Sequence, residues 1–466
     1  MSASRQLLLG AATVALAACD TSVTNPGRVP DEYLNQPDAW PAVVTGARRA
    51  LANAYGSDGT AGGQILYWGA AVSFEINPAG STGSFGIPPL VQSGRLDPQT
   101  TSDDWGSSNH ARFVAEDAVR RFAAIGGAPA RLVAEAQMYA GYANRLLGEN
   151  FCQSVLPTPT GDPGSLGAHT AYFTRADTHF TNAIATAAGM TDDTIKTRII
   201  RSAQAGRASV RASLASYGVA PYTWAQAVAD AQTIPDTFAF PLPYFTQSQD
   251  QYNYLYFASA NSPYRAHTEW RTFYERYYLT TLDPRTSWRT PGPTEPDSGD
   301  AAVQKFGGRV PWRPQTKHDR REAPVRLTSG WEMRLIEAEA AIVAATPDAA
   351  INLMNLRRQS LPLPLFSTGV SSDSAWALLK LERQVELWLE ARRLGDLRRW
   401  IEGGVPGAYR DGVYDDTNGD GVSDTRSEDM TTRPDGPFAR SLCFAVGQNE
   451  FDTNPNLSVR RYPATP

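Results

Sequence analysis

Histidine, cysteine and methionine are scarce in this chain of 466 residues, which holds five, three and six of them. His110, His169, His179, His267 and His318 lie far apart without metal-ligand spacing, and no HExxH, Walker A loop, GxGxxG or GxSxG elbow occurs. The familiar signatures of zinc proteases, nucleotide-binding proteins and serine hydrolases are therefore missing. A mechanism built from two carboxylates is untouched by this, because 48 Asp and Glu residues leave ample choice. An excess of positive charge is also lacking. The net charge is −5, which argues against nucleic acid or an anionic membrane surface as the main partner. Beyond the N-terminus no apolar run is long enough to span a bilayer.

The one such run that is present opens the chain. Arg5 is followed by apolar or small residues from Leu7 to Ala18, broken only by Thr13, and twelve residues are too few for a permanent membrane helix. Residues 1–18 read as a signal peptide. They end in Leu16-Ala17-Ala18-Cys19, which resembles a bacterial lipobox and implies acylation of Cys19, a palmitate-type anchor, with lipid as the sole attachment to the membrane. Asp20 follows, a residue that in some Gram-negative groups retains a lipoprotein at the inner membrane. Residues 19–37, with Pro26, Pro30 and Pro37, read as an extended tether. Cys152 and Cys443 remain, either as a disulfide in an oxidising compartment or as two buried thiols.

The body, 38–466, divides into a helical part (38–237), an irregular aromatic-rich lobe (238–328), a helical stretch (329–404) and a C-terminal loop region (405–466). Helical patterns cover 38–55, 107–122, 129–147, 175–188, 194–216 and 224–232. Their small residues, such as Ala205, Gly206, Ala208, Ala212, Ala227 and Ala231, suit close pairing of the tetratricopeptide type, although no strict 34-residue period emerges.

The stretch 329–404 reads as three helices, opened at Gly330, at Thr346-Pro347-Asp348 and at Ser372-Asp373, the last one running to Gly403-Gly404. Glu382, Glu386 and Glu390 stand one above another at i,i+4 spacing, which costs an isolated helix a few tenths of a kcal/mol per pair, roughly. Either cations meet them, and Arg357, Arg358, Arg383, Arg392, Arg393, Arg398 and Arg399 are the nearest in sequence, or they form a solvated charged face. Glu382, Arg383, Glu386, Leu387, Glu390, Arg393, Asp396, Leu397, Arg399 and Trp400 together resemble the tail motif of the SusD/RagB family of outer-membrane lipoproteins. The run Arg334 to Ala340, Ile351-Asn352, Leu356-Arg357 and the closing Asn454-Pro455-Asn456-Leu457 are similar to further family elements.

That resemblance implies a mainly α fold, with tetratricopeptide-like helix pairs forming an α-superhelical scaffold that carries an irregular, loop-rich ligand-binding lobe. It also implies a non-enzymatic role at the outer surface of the outer membrane. There the protein binds a glycan, oligosaccharide or peptide nutrient and delivers it to a SusC-like TonB-dependent barrel transporter. Two other readings stand beside it: a secreted helical lipoprotein hydrolase acting on polysaccharide, and a repeat scaffold for envelope assembly.

Two stretches are candidates for binding chemistry. Thirteen aromatic residues crowd the 45 positions from Tyr244 to Trp288. Sugar rings stack on such side chains while their hydroxyls need polar neighbours such as Arg265 and Arg271, so Tyr252, Tyr254, Tyr256, Trp270 and Trp288 are the candidate ligand residues. In an extended segment the three alternating tyrosines share one face. The competing reading is that these rings build the core of the lobe. The second stretch matches much of a Ca²⁺ loop, with Asp416, Asn418, Asp420 and Asp424 offering side-chain oxygens and Val422 its carbonyl. Ser427 stands where an EF-hand has its bidentate Glu, and the alternative is a polar turn without metal.

Overall fold

The computed structural model describes residues 30–57, 64–80, 87–92, 94–158, 161–299, 310–407 and 440–457. Cys19 with the signal peptide, the tether as far as residue 29, and the candidate Ca²⁺ loop at 416–424 lie outside the described residues. The chain is mostly helical. α1 (Trp40–Gly56) starts on Pro41 and buries Val44, Ala47, Leu51 and Tyr55, a stripe at helical spacing, and α2 (Ile65–Val72) is buried on all sides. α3 (Ser102–Ile125) packs on α1, and α4 (Ala130–Asn150), α5 (Thr170–Ala188), α6 (Asp193–Ser216) and α7 (Trp224–Ala231) follow, each packed on its predecessor. Asp192 caps α6 by accepting from the Thr194 and Ile195 amides at 3.0 Å. Thr223 and Gln226 form a reciprocal capping box at the start of α7.

Glycine lets these helices approach closely. The Phe180 ring of α5 lies in a notch between Gly141 of α4 and Gly206 of α6. An added Cβ at Gly141 would fall 2.6 Å from the ring, and one at Gly206 would overlap it. Phe173 uses Gly148 in the same way, 2.7 Å from where a Cβ would sit.

Among the described residues six short strands form three antiparallel pairs: β1 (Asn77–Pro78) with β5 (His267–Thr268), β2 (Gln153–Val155) with β3 (Leu166–Ala168), and β4 (Ala239–Leu242) with β6 (Val325–Ser329). The last pair is a neck. Leu242 faces Val325, so the irregular lobe leaves and re-enters the helical body at one place. Buried Arg145 of α4 supports it by donating to the Leu327 carbonyl at 2.6 Å. Inside the lobe the longest element is α8 (Phe273–Thr281), capped by Thr272.

Beyond the neck, α9 (Gly330–Val343) packs Met333 and Ile336 against Ala205, Ala208, Ala212 and Ala227 of α6 and α7. Its other side, through Leu335 and Ile342, meets α10 (Pro347–Ser360) and α11 (Ser372–Glu386). The expected third helix is two. α11 stops at Glu386 and α12 (Arg393–Glu402) begins after a gap of six residues. Residues 387–392 contain neither Pro nor Gly, so propensity alone favours an unbroken helix. Tertiary hydrogen bonds override it. The Leu389 amide donates to Glu75 Oε1 at 2.8 Å and Trp388 Nε1 to the Glu75 carbonyl at 3.2 Å. Lys317 Nζ donates to the Trp388 carbonyl at 2.6 Å, and His318 Nε2 lies 3.0 Å from that of Leu389. Leu389 and Ala391 take φ of 57° and 58°, a left-handed backbone that costs on the order of 1 kcal/mol or more each and persists because these contacts over-determine it. Two caps also differ from expectation. Ser371 rather than Ser372 caps α11, and the Thr346 hydroxyl donates to the Ala341 carbonyl instead of capping α10.

The C-terminal segment returns to the first half of the chain. Cys152 and Cys443 form a disulfide with Cα atoms 5.1 Å apart, beside the bridge between Phe151 and Phe444. Asn454, which caps the C-terminus of α13 (Gln448–Thr453), donates to the Gly164 carbonyl at 3.2 Å. Among the described residues no helix is long and apolar enough to cross a membrane.

Candidate functional site

The acidic ladder positions the aromatic lobe. Arg357 and Arg358, expected partners, do reach it: Arg357 Nε lies 2.9 Å from Glu386 and Arg358 Nη1 2.5 Å from Glu382. The remaining cations come from beyond the signature helices. Arg285 of the lobe donates to Glu382 at 2.8 Å and to Glu386 at 3.3 Å, while Asp283 holds its other edge at 2.7 Å. Lys317 meets Glu390 at 2.7 Å, and Arg326 of β6 spans Glu386 at 3.0 Å and Glu390 at 2.8 Å. Burial alone would raise the Glu386 carboxyl, yet the guanidiniums of Arg326, Arg285 and Arg357 hold it at about 2. The other arginines serve elsewhere: Arg383 pairs with Asp396, Arg392 with Glu149 and Glu332, Arg398 with Glu402, and Arg399 with Glu339 and Asp396, while Arg393 donates to the Ser73 carbonyl.

On this clamped lobe two tryptophans carry guanidinium groups. Trp270 is half-buried with the Arg271 guanidinium 4.5 Å from its ring centroid. Trp288 is half-buried with that of Arg313 at 5.6 Å, and Tyr278 meets it edge-on at 6.0 Å. Glu275, in the first turn of α8, joins the two pairs. Its Oε2 accepts from the Arg271 amide at 2.7 Å, its Oε1 lies 3.8 Å from Arg313 Nε, and its carbonyl accepts from Trp288 Nε1 at 3.3 Å. Burial pushes the Glu275 carboxyl up against the opposing pull of that amide and of Arg313 and Arg271. Arg271 has φ of 62°, a left-handed backbone at the point where the chain turns into α8.

The three tyrosines do not share a face. Asn253 Oδ1 accepts from the Leu255 amide at 2.9 Å and the Tyr256 amide at 3.2 Å, which turns the chain into the helical turn Tyr256–Ala260 and ends the extended segment. Tyr254 is therefore a correction: it is 3% exposed, its ring set edge-on to buried Tyr67 at 5.1 Å, and it belongs to the core. Tyr252 is half-buried with the Arg321 guanidinium 4.9 Å from its ring, and Tyr256 is half-buried close to Arg289. Tyr244, Phe257, Phe273, Tyr274 and Tyr277 are also buried, so core and surface readings each hold for part of the aromatic segment.

Glu275, Tyr278 and Arg313 were not singled out from the sequence. Arg313 reaches Trp288 through the antiparallel bridge of Trp288 with Gln315, a pairing with no local sequence signal. Below the site the Glu269 carboxyl is fully buried and pushed well above the usual range, by burial first and then by Glu75 and Glu275.

Residues 313–462 match the SusD family. Among solved structures, the chain is similar to a SusD/RagB family protein from Bacteroides thetaiotaomicron (TM-score 0.59, 12% identity, covering 88% of this chain and 95% of that one). It is also similar to a SusD superfamily protein from Bacteroides vulgatus (0.57, 13%, 90% and 98%). A SusD-like carbohydrate binding protein from the same species matches at TM-score 0.52 and 14% identity, covering 78% of this chain and 83% of that one. The curated proteins compared contain no match.

Proposed function

We propose that this chain is a member of the SusD/RagB family, which its C-terminal match and its fold support, and that it captures a carbohydrate on its aromatic lobe and passes it to a TonB-dependent barrel transporter. The observation that carries the binding site is the pair of half-buried tryptophans, Trp270 and Trp288, joined through Glu275 and held by the acidic ladder. The solved SusD-like carbohydrate binding protein supports glycan as the ligand class. The role is capture and release without bond chemistry. Aromatic contacts contribute about 0.5–1.5 kcal/mol each beyond burial, so two or three of them give affinity of about micromolar or weaker, which suits transfer.

In this reading residues 1–18 are removed, Cys19 carries the lipid, residues 19–37 form the tether, and the body faces outward at the outer membrane. The loop with Asp416, Asn418, Asp420, Val422 and Asp424 binds Ca²⁺, which calorimetry on the full chain tests. The binding reading is tested by affinity electrophoresis in gels containing mixed glycans. Trp270→Ala and Trp288→Ala are expected to lose retardation at unchanged Tm, whereas Tyr254→Ala, a core substitution, lowers Tm by several degrees. Retardation unaffected by either tryptophan change places the ligand elsewhere. A pull-down from solubilised membranes that recovers no barrel protein removes the transporter from the account.

A further inference from the structure

The rings of the proposed site do not offer bare faces. Trp270, Trp288 and Tyr252 each carry a guanidinium within 4.5–5.6 Å of the ring centroid, from Arg271, Arg313 and Arg321. A guanidinium laid on an aromatic ring is held flat, keeps its charge and presents its N–H edge outward, which is the geometry that recognises carboxylate or sulfate. A neutral sugar that stacked on those faces would have to displace the cation first.

The local charge balance points the same way. Arg313 has one carboxylate within ion-pair distance among the described residues, Glu275, at 3.8 Å, outside hydrogen-bond range. Arg321 is exposed and has no ion pair among the described residues. On a chain whose net charge is −5, three ring-stacked guanidiniums in the lobe are not a reflection of composition.

We infer that the glycan taken by this lobe is anionic, its carboxylates or sulfates pairing with the ring-stacked guanidiniums of Arg313 and Arg321 while its ring atoms contact the tryptophan edges. The inference rests on the proposed reading of the lobe as a glycan site.

Affinity electrophoresis of the full chain with matched polymers tests it: polygalacturonate against its methyl ester, dextran sulfate against dextran, and poly-glutamate. The expected result is retardation by at least one anionic glycan but not by its neutral partner, weakening as salt is raised. Arg313→Gln and Arg321→Gln should each lower affinity about tenfold or more, with far-ultraviolet dichroism and Tm unchanged. Retardation by a neutral polymer as strong as by its charged partner overturns the inference and leaves the glycan site standing. Anionic binding insensitive to both arginine changes also overturns it, as does retardation by poly-glutamate alone. If none of the polymers retards the chain, both the inference and the glycan reading fall.

Discussion

Glu75 illustrates how one side chain ties distant parts of the fold together. It is buried, its Oε1 accepts the Leu389 amide, and burial raises its pKa to about 7 against an ordinary 4.5, with that amide, Arg393 and Lys317 pulling the other way. Between about pH 4.5 and 7 the folded chain holds a proton that the unfolded chain has released, so this group's contribution to stability falls as pH rises through that window. Asp104, buried and also raised to about 7, acts in the same direction. Glu332, Glu386 and Asp396, lowered to about 2 by their arginines, act in the opposite sense and lose stability only as pH drops below about 4. Glu75→Gln keeps the acceptor for Leu389 and removes the titration. Urea unfolding at pH 5 and pH 8 should show the loss of stability between them shrink by up to about 3 kcal/mol. An unchanged difference would mean that Glu75 has the same pKa in the folded and the unfolded chain.

Glycine at the Phe180 notch gives a second test at the same scale. An alanine normally favours a helix by about 1 kcal/mol over glycine. At Gly206 the new methyl would overlap the buried Phe180 ring, and overpacking costs typically 1–3 kcal/mol, so Gly206→Ala should be destabilising or neutral at best. Gly46 of α1 has no described atom within 4 Å of an added Cβ, and Gly46→Ala should stabilise by about 0.5–1 kcal/mol. Thermal melts of the two variants that move in the same direction would remove the packing argument.

At the scale of elements, the acidic ladder on α11 is a fastening for the lobe. Arg285→Met leaves Asp283, Glu382 and Glu386 short of one buried cation, and breaking such a pair costs about 3–5 kcal/mol. Limited proteolysis should then cut between residues 243 and 324 while the helices α1 to α7 stay protected. Cleavage spread evenly over the chain would mean that the lobe does not loosen as a unit. The need for counter-ions was legible in the sequence, because stacked glutamates are unfavourable alone. Arg357 and Arg358 were legible with it, being close in the chain. Arg285, Lys317 and Arg326 were not, since nothing local says that an irregular segment folds back on α11. The same distance hid the break after Glu386, which is set by Glu75, Lys317 and His318 rather than by any helix-stopping residue. In the aromatic stretch, density alone could not sort buried Tyr254 from half-buried Trp270, because burial of Tyr254 depends on Asn253 turning the chain.

For the whole molecule, the disulfide joins positions 291 residues apart and ties the C-terminal segment to the end of α4. Replacing Cys152 and Cys443 together by serine should lower stability by about 2–4 kcal/mol, read from Tm on unreduced protein. A wild-type chain whose Tm is unaltered by reductant would contradict it. The neck made by β4 and β6 has a different consequence. Because Leu242 and Val325 are paired, everything between them begins and finishes at one spot on the superhelix. In evolutionary terms that spot is a socket with two breakpoints. A recombined segment of another length can be seated there without respacing the helices, since closing a loop twice as long costs only about 0.6 kcal/mol more. One admission rule is electrostatic: an incoming segment must bring cations in the places of Arg285 and Lys317, or it leaves the glutamates of α11 and Glu390 buried beside too little positive charge. Under the proposed function, ligand preference can therefore diversify inside the cassette while the frame that holds it stays the same.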